Sequence, residues 1–342
     1  MQPITLDSIS KNPHQIFHQL RWNGTICCPE CGSTHIYNPN PDQLHICADC
    51  KTRFSDTSGT IFHSTKLPLS KWLYAIYLFM TSSRGISSYA LARYIQTSQT
   101  TAWSMLMRLR NCLHQDIKFD ATDQVAIDEV YIGANWKYIP SFKKFKKATP
   151  PPQHWNLNKK DTQTYYKKQF MEMASRDKMP VLGLVALESP KIRLQYISID
   201  DKQKFIRSEF STCFGHINRQ MFVDTPTTIV TDQSKLYNFI EEILDNNNRH
   251  KFDHQICRHD ENKYASPDGF SSNRLEAAFS HVKRSWRGVY TRWTRKYCQL
   301  YLDEFCYRYN HPLSSKTVIT DRIKDFFRRV DPRSIQCLVN FH

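Results

Sequence analysis

The chain has 342 residues, with 47 lysines and arginines against 32 aspartates and glutamates, for a formal net charge of +15. That length is sufficient for two or three domains, and the positive charge points to a polyanionic partner such as DNA or RNA. The longest apolar run, Trp72 to Met80, is far shorter than the roughly 20 residues that span a bilayer, and residues 1–15 lack a signal-peptide core. We therefore expect a cytoplasmic, nucleoid-associated protein that does not enter membranes.

Four of the eleven cysteines have a spacing typical of a zinc site. Cys28, Cys31, Cys47 and Cys50 form C-x2-C-x15-C-x2-C, in which each close pair supplies two thiolates to a tetrahedral Zn²⁺ and the segment between folds as a β-hairpin. A free or redox-active dithiol is the alternative. The spacing predicts one structural Zn²⁺ in a ribbon that, with an N-terminal helix, occupies residues 1–62.

Three helices are predicted after the ribbon, at Pro68–Met80, Ile86–Ile95 and Gln99–Leu113. The apolar stripe of the third helix faces inward and leaves Thr101, Ser104 and Arg108 on the opposite side. With the short turn at 96–98, this pattern predicts a helix-turn-helix at residues 63–118 whose polar face enters a DNA major groove. A plain three-helix packing module is the alternative.

From about residue 121 the pattern changes to alternating strands and helices. The predicted strands are Gln124–Ile132, Val181–Glu188, Ile192–Ile199, Thr228–Thr231 and Lys251–Ile256. The predicted helices lie near 201–214, 234–245, 272–288, 296–309 and 318–329. Three strands followed by αβαβα is the order of an RNase H-like domain. We therefore expect an α/β domain at 119–312, a mixed sheet with flanking helices, and a helical tail at 313–342.

Three carboxylates occupy positions suited to metal-dependent phosphodiester chemistry. Asp128 and Asp232 follow apolar strand segments, and Glu276 lies in the first turn of a late helix. Magnesium binds through a few carboxylates together with substrate oxygens, and two such ions serve both sides of a phosphate. The three acids therefore predict a site for two Mg²⁺ or Mn²⁺ ions. Taken singly, each acid also fits an ordinary turn or cap.

The helix that carries Glu276 has a polar stripe on one face. Its members recur at steps of three and four: Asn273, Glu276, Ser280, Lys283 and Arg287. The acid and the bases can therefore look onto a shared site, with Arg287 predicted to contact DNA.

A basic segment separates the first two predicted strands. Residues 137–178 contain ten lysines and one arginine against three acids, a local charge of +8. Such a segment fits an exposed loop that lies on DNA, and a merely solvated surface is the alternative.

Several motifs occur together in a fixed order along residues 15–312. They are Cys-Pro-Glu-Cys-Gly-Ser at 28–33, Cys-Ala-Asp-Cys at 47–50, Ser-Gly-Thr-Ile-Phe at 58–62, Leu-Pro-Leu-Ser-Lys-Trp at 67–72, Ile-Asp-Glu-Val-Tyr-Ile-Gly at 127–133, Thr-Asp at 231–232, Ser-Pro-Asp-Gly at 266–269 and Tyr-Leu-Asp-Glu-Phe at 301–305. This set resembles transposases of the IS1595 (ISXO2-like) insertion-sequence family.

The resemblance implies a zinc ribbon and helix-turn-helix that bind transposon ends, followed by a DDE-type RNase H-like catalytic domain. It also implies a lysine after the third acid, a position that Lys283 fills. Some members have asparagine as the third catalytic residue, so Asn273 is the alternative to Glu276. We favour Glu276, since a carboxylate binds Mg²⁺ better than an amide, with Asn273 supporting it. Glu129 and Asp224 are nearby acids of lower rank, because Glu129 should point to the strand face opposite Asp128.

The expected function is that of a transposase that binds double-stranded DNA, cleaves element ends and joins their 3′-hydroxyls to target DNA. Synapsis of two ends implies a homodimer or larger assembly. Two other functions remain open. A domesticated, non-catalytic DNA-binding protein would need only the ribbon and helix-turn-helix, which the acidic triad argues against. An RNase H-like nuclease would hydrolyse DNA without joining it, and a strand-transfer assay separates this case.

Overall fold

A computed structural model describes residues 3–133, 162, 164–166, 178–197, 202–215, 227–243, 251–257, 273–290, 293–313 and 318–330. The chain divides into two compact units. Unit 1 comprises Met1–Asp116, Arg284–Trp293 and Leu300–His342, and unit 2 comprises Ile117–Lys283 and Thr294–Gln299. The basic segment 137–178 lies almost entirely outside the described residues, as does Asp224. The predicted domain boundaries remain predictions.

Unit 1 contains a small three-stranded sheet and a set of helices. The strands are β1 (Ile36–Tyr37), β2 (His45–Cys47) and β3 (Arg53–Phe54), paired antiparallel in that order. The helices are α1 (Leu6–Lys11), α2 (Pro13–Trp22), α3 (Leu69–Thr81), α4 (Ser88–Ile95), α5 (Gln99–Asn111), α8 (Cys298–Asn310) and α9 (Ile319–Arg329).

Local capping explains where the helix-turn-helix elements begin and end. The Ser87 side chain accepts a hydrogen bond from the Ala90 amide at the start of α4, and Ser98 accepts one from Thr101 at the start of α5. Gln96 ends α4 in the left-handed conformation, with φ 51°. The turn predicted at 96–98 is therefore present, and it separates the two helices as expected.

The C-terminal helix α9 packs into the same core as the N-terminal helices. The ring of Phe327 lies 5.5 Å from that of Phe17 and 6.0 Å from that of Phe62. The Ile4 amide also donates to the Thr320 hydroxyl at 2.8 Å. Residues that the sequence analysis described as a tail thus contribute to the core of unit 1.

Unit 2 is built on a five-stranded mixed sheet with the order β6-β5-β4-β7-β8. Its elements are β4 (Val125–Ile132), β5 (Met179–Ala186), β6 (Ile192–Tyr196), α6 (Lys202–Phe214), β7 (Thr227–Thr231), a 3₁₀-helix (Lys235–Ile240), β8 (Phe252–Ile256) and the part of α7 (Asn273–Gly288) up to Lys283. Strand β5 is antiparallel to β4 and β6, whereas β7 is parallel to β4 and β8. This arrangement, with the four-cysteine ribbon, confirms the predicted fold class.

The two faces of the sheet are covered differently. On one face, Ile127, Leu184 and Ile229 pack in a core with residues of α6 and with Tyr237 of the 3₁₀-helix. On the other face, side chains of α7 lie against Gly183 of β5. Asp128, paired with Gly183, lies on the sheet face that α7 covers. Asp232 follows the end of β7, and Glu276 is part of α7 itself. None of the helices in the described ranges has both the length and the apolar character of a membrane span.

Candidate active site and zinc site

Asp128 and Asp232 lie at corresponding positions of two neighbouring parallel strands. In the pairing of β4 with β7, Ala126 is opposite Val230. Asp128 and Asp232 each follow two residues later, so the same register brings them side by side. Neighbouring strands are about 4.8 Å apart, and the negative charge of Asp232 acts on Asp128. The two acids therefore lie near each other, Asp128 within β4 and Asp232 just after the end of β7.

Gly183 brings the third acid to this place. Gly183 is the partner of Asp128 in the pairing of β4 with β5. A Cβ atom on Gly183 would lie 2.6 Å from the Phe279 ring and 2.8 Å from the Leu275 side chain. Helix α7 therefore packs directly on the backbone beside Asp128, and Glu276, the residue after Leu275, lies exposed in its first turn.

The negative charges of the neighbouring acids act on Asp128. The pKa of Asp128 is raised to about 6, chiefly by burial and also by the negative charges of Asp232, Glu129 and Glu276, against the lowering effect of the Glu129 amide. That amide donates to Asp128 Oδ1 at 2.7 Å. A carboxylate whose pKa is raised by neighbouring negative charges belongs to a donor set that a divalent cation fits.

The acids are spread more widely than the cysteines of the ribbon. Of the described residues, the triad does not bring its ligand oxygens within 4.8 Å of one another, whereas the four cysteine sulfurs meet that distance. On α7, Asn273 and Glu276 are exposed, Lys283 is half-buried and Arg287 is exposed. Which of Asn273 and Glu276 acts as the third ligand stays a prediction, although the charge of Glu276 acts on Asp128.

Glu129 has surroundings different from those of Asp128. Burial raises its pKa, and the charge of Asp232 adds to this effect. The charge of Glu129 in turn acts on Tyr237, whose own pKa is raised chiefly by burial. Tyr237 belongs to the core on the face opposite α7, so these interactions agree with a Glu129 side chain that points away from Asp128.

The four predicted zinc ligands lie together on two matching turns. The sulfurs of Cys28 and Cys50 are 3.5 Å apart, and those of Cys31 and Cys47 are 3.6 Å apart. Zinc–sulfur bonds of about 2.3 Å in a tetrahedron place sulfurs about 3.8 Å apart. The cluster therefore fits one zinc ion. Each turn contains a left-handed residue directly after the second cysteine of its pair, Gly32 with φ 76° and Lys51 with φ 61°.

The pKa values of two of the ribbon thiols, Cys50 and Cys31, are shifted in opposite directions. The pKa of Cys50 is lowered to about 6, first by its hydrogen bond with the Thr52 hydroxyl. The pKa of Cys31 is raised to about 12; the Ser33 backbone lowers it, but Cys50, burial and the other thiols outweigh that effect. Ionisation of one thiol thus opposes ionisation of the next, which a zinc ion would reverse.

A second polar group in unit 1 was not found from the sequence. The Asp56 carboxylate Oδ1 lies 2.9 Å from His45 Nε2, 3.0 Å from His18 Nδ1 and 2.6 Å from the Trp22 indole nitrogen. Ligand atoms around a tetrahedral zinc would be about 3.3 Å apart, whereas these distances are those of hydrogen bonds. We interpret the group as a buried hydrogen-bonded junction between α2 and the ribbon. Its members are distant in sequence, and no spacing signals it.

The predicted DNA-contacting residues of α5 differ in accessibility. Ser104 is exposed, whereas Thr101 is half-buried with its hydroxyl 2.8 Å from that of Ser98. Arg108 donates to the Ile61 carbonyl at 3.1 Å. On α4 the side chains of Tyr89 and Tyr94 are 64% and 70% exposed. No DNA contact was predicted for α4, and its exposed aromatic side chains are the sequence signal that would have suggested one.

Comparison with known proteins agrees with this architecture. Residues 120–310 match the model of the ISXO2-like transposase domain, and residues 11–53 match that of the transposase zinc-ribbon domain. The chain belongs to the ISXO2-like transposase family. It is also 27% identical, over 145 residues, to an uncharacterized protein in transposable element ISH50 of Halobacterium salinarum. That match covers 40% of this chain and 47% of the relative, so the chain spans about half the length of the relative it matches.

Proposed function

We propose that this family member binds the ends of an insertion sequence, cleaves them and joins their 3′-hydroxyls to target DNA. The observation that carries the proposal is the convergence of like charges on Asp128, whose pKa is raised by burial and by Asp232, Glu129 and Glu276. A structural role does not require such a cluster, because like charges destabilise the fold, whereas functional sites commonly contain them. The acids therefore favour catalysis over a purely DNA-binding role.

In this proposal Asp128, Asp232 and Glu276 hold two Mg²⁺ or Mn²⁺ ions. When bound, such ions activate the attacking oxygen and stabilise the leaving oxygen. In the joining step the 3′-oxygen of the element end forms a bond to a phosphorus of the target strand. The bond from that phosphorus to the target's own 3′-oxygen breaks, and this oxygen leaves as a hydroxyl. Lys283, two turns after Glu276, holds a phosphate, and Asn273 supports the third ligand.

The same proposal assigns DNA binding to the ribbon and the helix-turn-helix. Zinc bound by the four cysteines holds the ribbon, and Ser104, Thr101, Arg108 and Arg287 contact DNA. The hydrogen bond from Arg108 to Ile61 gives Arg108 a second role in fixing α5. The basic segment 137–178 adds phosphate contacts, and synapsis of two ends requires a homodimer or larger assembly.

The experiment that tests the proposal is incubation of the protein with Mg²⁺ and DNA that carries the flanking element ends. We expect cleaved and joined products, which Asp128→Asn and Asp232→Asn abolish with little change in DNA affinity, since each removes a charged ligand and preserves shape. Glu276→Gln should be inactive and Asn273→Ala only slower, and the reverse result would move the third ligand to Asn273. Cleavage without joining would indicate a nuclease, and binding without cleavage a regulator.

A further inference from the structure

A buried histidine on β8 connects to the peptide of Asp232. In the parallel pairing of β7 with β8, His254 is opposite Ile229, and Thr231 lies two residues further on the same face. The His254 side chain is only 4% exposed. Its Nε2 lies 2.8 Å from the Thr231 hydroxyl, and its Nδ1 lies 3.0 Å from the Glu241 carboxylate. Both ring nitrogens are thus engaged, one on each side.

Thr231 connects His254 to Asp232. Its hydroxyl donates to the carbonyl oxygen of Asp232 at 2.9 Å. The hydroxyl therefore accepts from His254 Nε2–H, and a ring that is protonated on both nitrogens also donates Nδ1–H to the Glu241 carboxylate. The Asp232 carboxylate in turn accepts a hydrogen bond from the Ser234 amide at 3.0 Å. The main chain and the side chain of Asp232 are therefore both held, the first through Thr231 and the second by the turn that follows.

These contacts close a ring around the end of β7. The chain runs from Thr231 through Asp232 to the 3₁₀-helix, which Ser234 caps, and then to Glu241. His254 then connects Glu241 to Thr231, because its ring contacts the Glu241 carboxylate and the Thr231 hydroxyl. A histidine that only filled space would not need these hydrogen bonds. Here the hydrogen bonds lead from His254 through Thr231 to the backbone carbonyl of Asp232.

We propose that His254, oriented by Glu241, is a positioning residue that fixes Asp232 for metal binding; this rests on the proposed function of Asp232 as a ligand. Groups that orient a metal ligand typically change metal affinity or activity about 10- to 100-fold when they are removed. The hydroxyl of Thr231 joins the two residues, because it contacts both the His254 ring and the Asp232 carbonyl. Removing either member should loosen Asp232 without removing any carboxylate.

The test measures Mn²⁺ affinity of the full chain by the electron paramagnetic resonance signal of free Mn²⁺. His254→Ala and Thr231→Val should weaken Mn²⁺ binding about 10- to 100-fold, while Thr231→Ser, which keeps the hydroxyl, should bind like the unaltered protein. Gln255→Ala is the matched control on the same strand, since Gln255 bonds to Asp253 rather than to Thr231. We expect it to change Mn²⁺ affinity less than twofold.

Each outcome decides the proposal. If Asp232→Asn loses Mn²⁺ binding while His254→Ala and Thr231→Val bind normally, the positioning role is wrong and the proposed active site stands. If Gln255→Ala loses as much affinity as His254→Ala, the effect is general destabilisation and the role is again wrong. If Asp232→Asn itself binds normally, the proposed active site fails. Should His254→Ala not fold, the contrast between Thr231→Val and Thr231→Ser still gives the answer.

Discussion

Units 1 and 2 both bury charged side chains, but they balance the charges in different ways. In unit 1, Arg110 and Glu304 are each 1% exposed and their Nε and Oε2 atoms are 2.7 Å apart. The other carboxylate oxygen accepts from Arg308 at 2.7 Å and from the Tyr290 hydroxyl at 2.8 Å. In unit 2, Asp128 is instead surrounded by the charges of further acids.

The charge of the neighbouring side chains decides whether the pKa of the buried carboxyl group is lowered or raised. Burial alone would raise the pKa of Glu304, but Arg110 and Arg308 outweigh burial and lower it. Burial and neighbouring acids act together on Asp128 and raise its pKa to about 6. Unit 1 therefore supplies its own cations for the buried Glu304. In the function proposed above, the acids of unit 2 would instead be balanced by bound divalent ions.

Within unit 1, the ribbon is the place where a cation from outside, zinc, is predicted to bind. Removing a predicted zinc ligand should have the largest effect of the changes considered. Cys47→Ser should reduce bound zinc from about one ion per chain to nearly none and unfold the ribbon, because about 10–16 kcal/mol of zinc binding is folding free energy in such sites. Elemental analysis and limited proteolysis measure the two changes. Cys27→Ser is the control, since Cys27 is exposed and outside the cluster.

Zinc retained at one ion per chain in a Cys47→Ser and Cys50→Ser double variant would refute the site. Unit 2 should remain folded in all these variants, because its sheet core contains none of the ribbon cysteines.

Breaking the internal pair of unit 1 should have the next largest effect. Glu304→Gln leaves two buried guanidinium groups without their counter-ion, which typically costs about 3–5 kcal/mol of unfolding free energy. Urea denaturation measures the loss. The control is Asp7→Asn, which breaks an exposed pair with Lys11 and should change stability by less than about 0.5 kcal/mol. Equal effects of the two changes would mean that the buried cluster contributes no more than a surface pair.

The acid cluster should respond in the opposite direction. Asp128→Asn should stabilise the protein at pH 7 without Mg²⁺ or Mn²⁺. The rise in pKa from the ordinary 3.8 to about 6 corresponds to at most about 3 kcal/mol. Because the folded state holds the proton more tightly than the unfolded state, the contribution of Asp128 to stability falls as pH rises from about 4 to about 6. Denaturant titrations at pH 4 and pH 7 should show this fall in the unaltered protein and a smaller one in the variant.

Mg²⁺ should reverse the order. It stabilises the unaltered protein by binding the folded state and has little effect on Asp128→Asn. If Asp128→Asn is less stable than the unaltered protein at pH 7 without divalent ions, the like-charge interpretation is wrong.

Local patterns predicted much of this molecule. The helices α3 to α5, the strand that contains Asp128, the strand that precedes Asp232 and the four-cysteine group follow from periodicity and spacing, which depend on residues close in sequence. Element ends were less certain: the predicted helix at 234–245 is a 3₁₀-helix at Lys235–Ile240, preceded by the turn in which Ser234 bonds to Asp232.

The contacts that complete the site and the core could not be predicted, because they join distant residues. Arg110 and Glu304 are separated by 194 positions, and Asp56 meets His18 over 38. A single glycine adds nothing to the apolar periodicity from which helices and strands are predicted. The close approach of α7 to Gly183 and the space that Gly85 leaves for Tyr290 could therefore not be predicted.

Gly183 allows the smallest test, because it changes the position of α7 and no charge. Gly183→Ala would place a methyl group 2.6 Å from the buried Phe279 ring, and overpacking of this kind typically costs about 1–3 kcal/mol. Glu276 should then move away from Asp128, so Mg²⁺-dependent cleavage should fall by more than the loss of stability explains. Gly288→Ala, where a methyl group meets open space, is the control. Phe279→Leu in the Gly183→Ala background should restore part of both losses, whereas normal stability and cleavage in Gly183→Ala would show that α7 does not depend on this close approach.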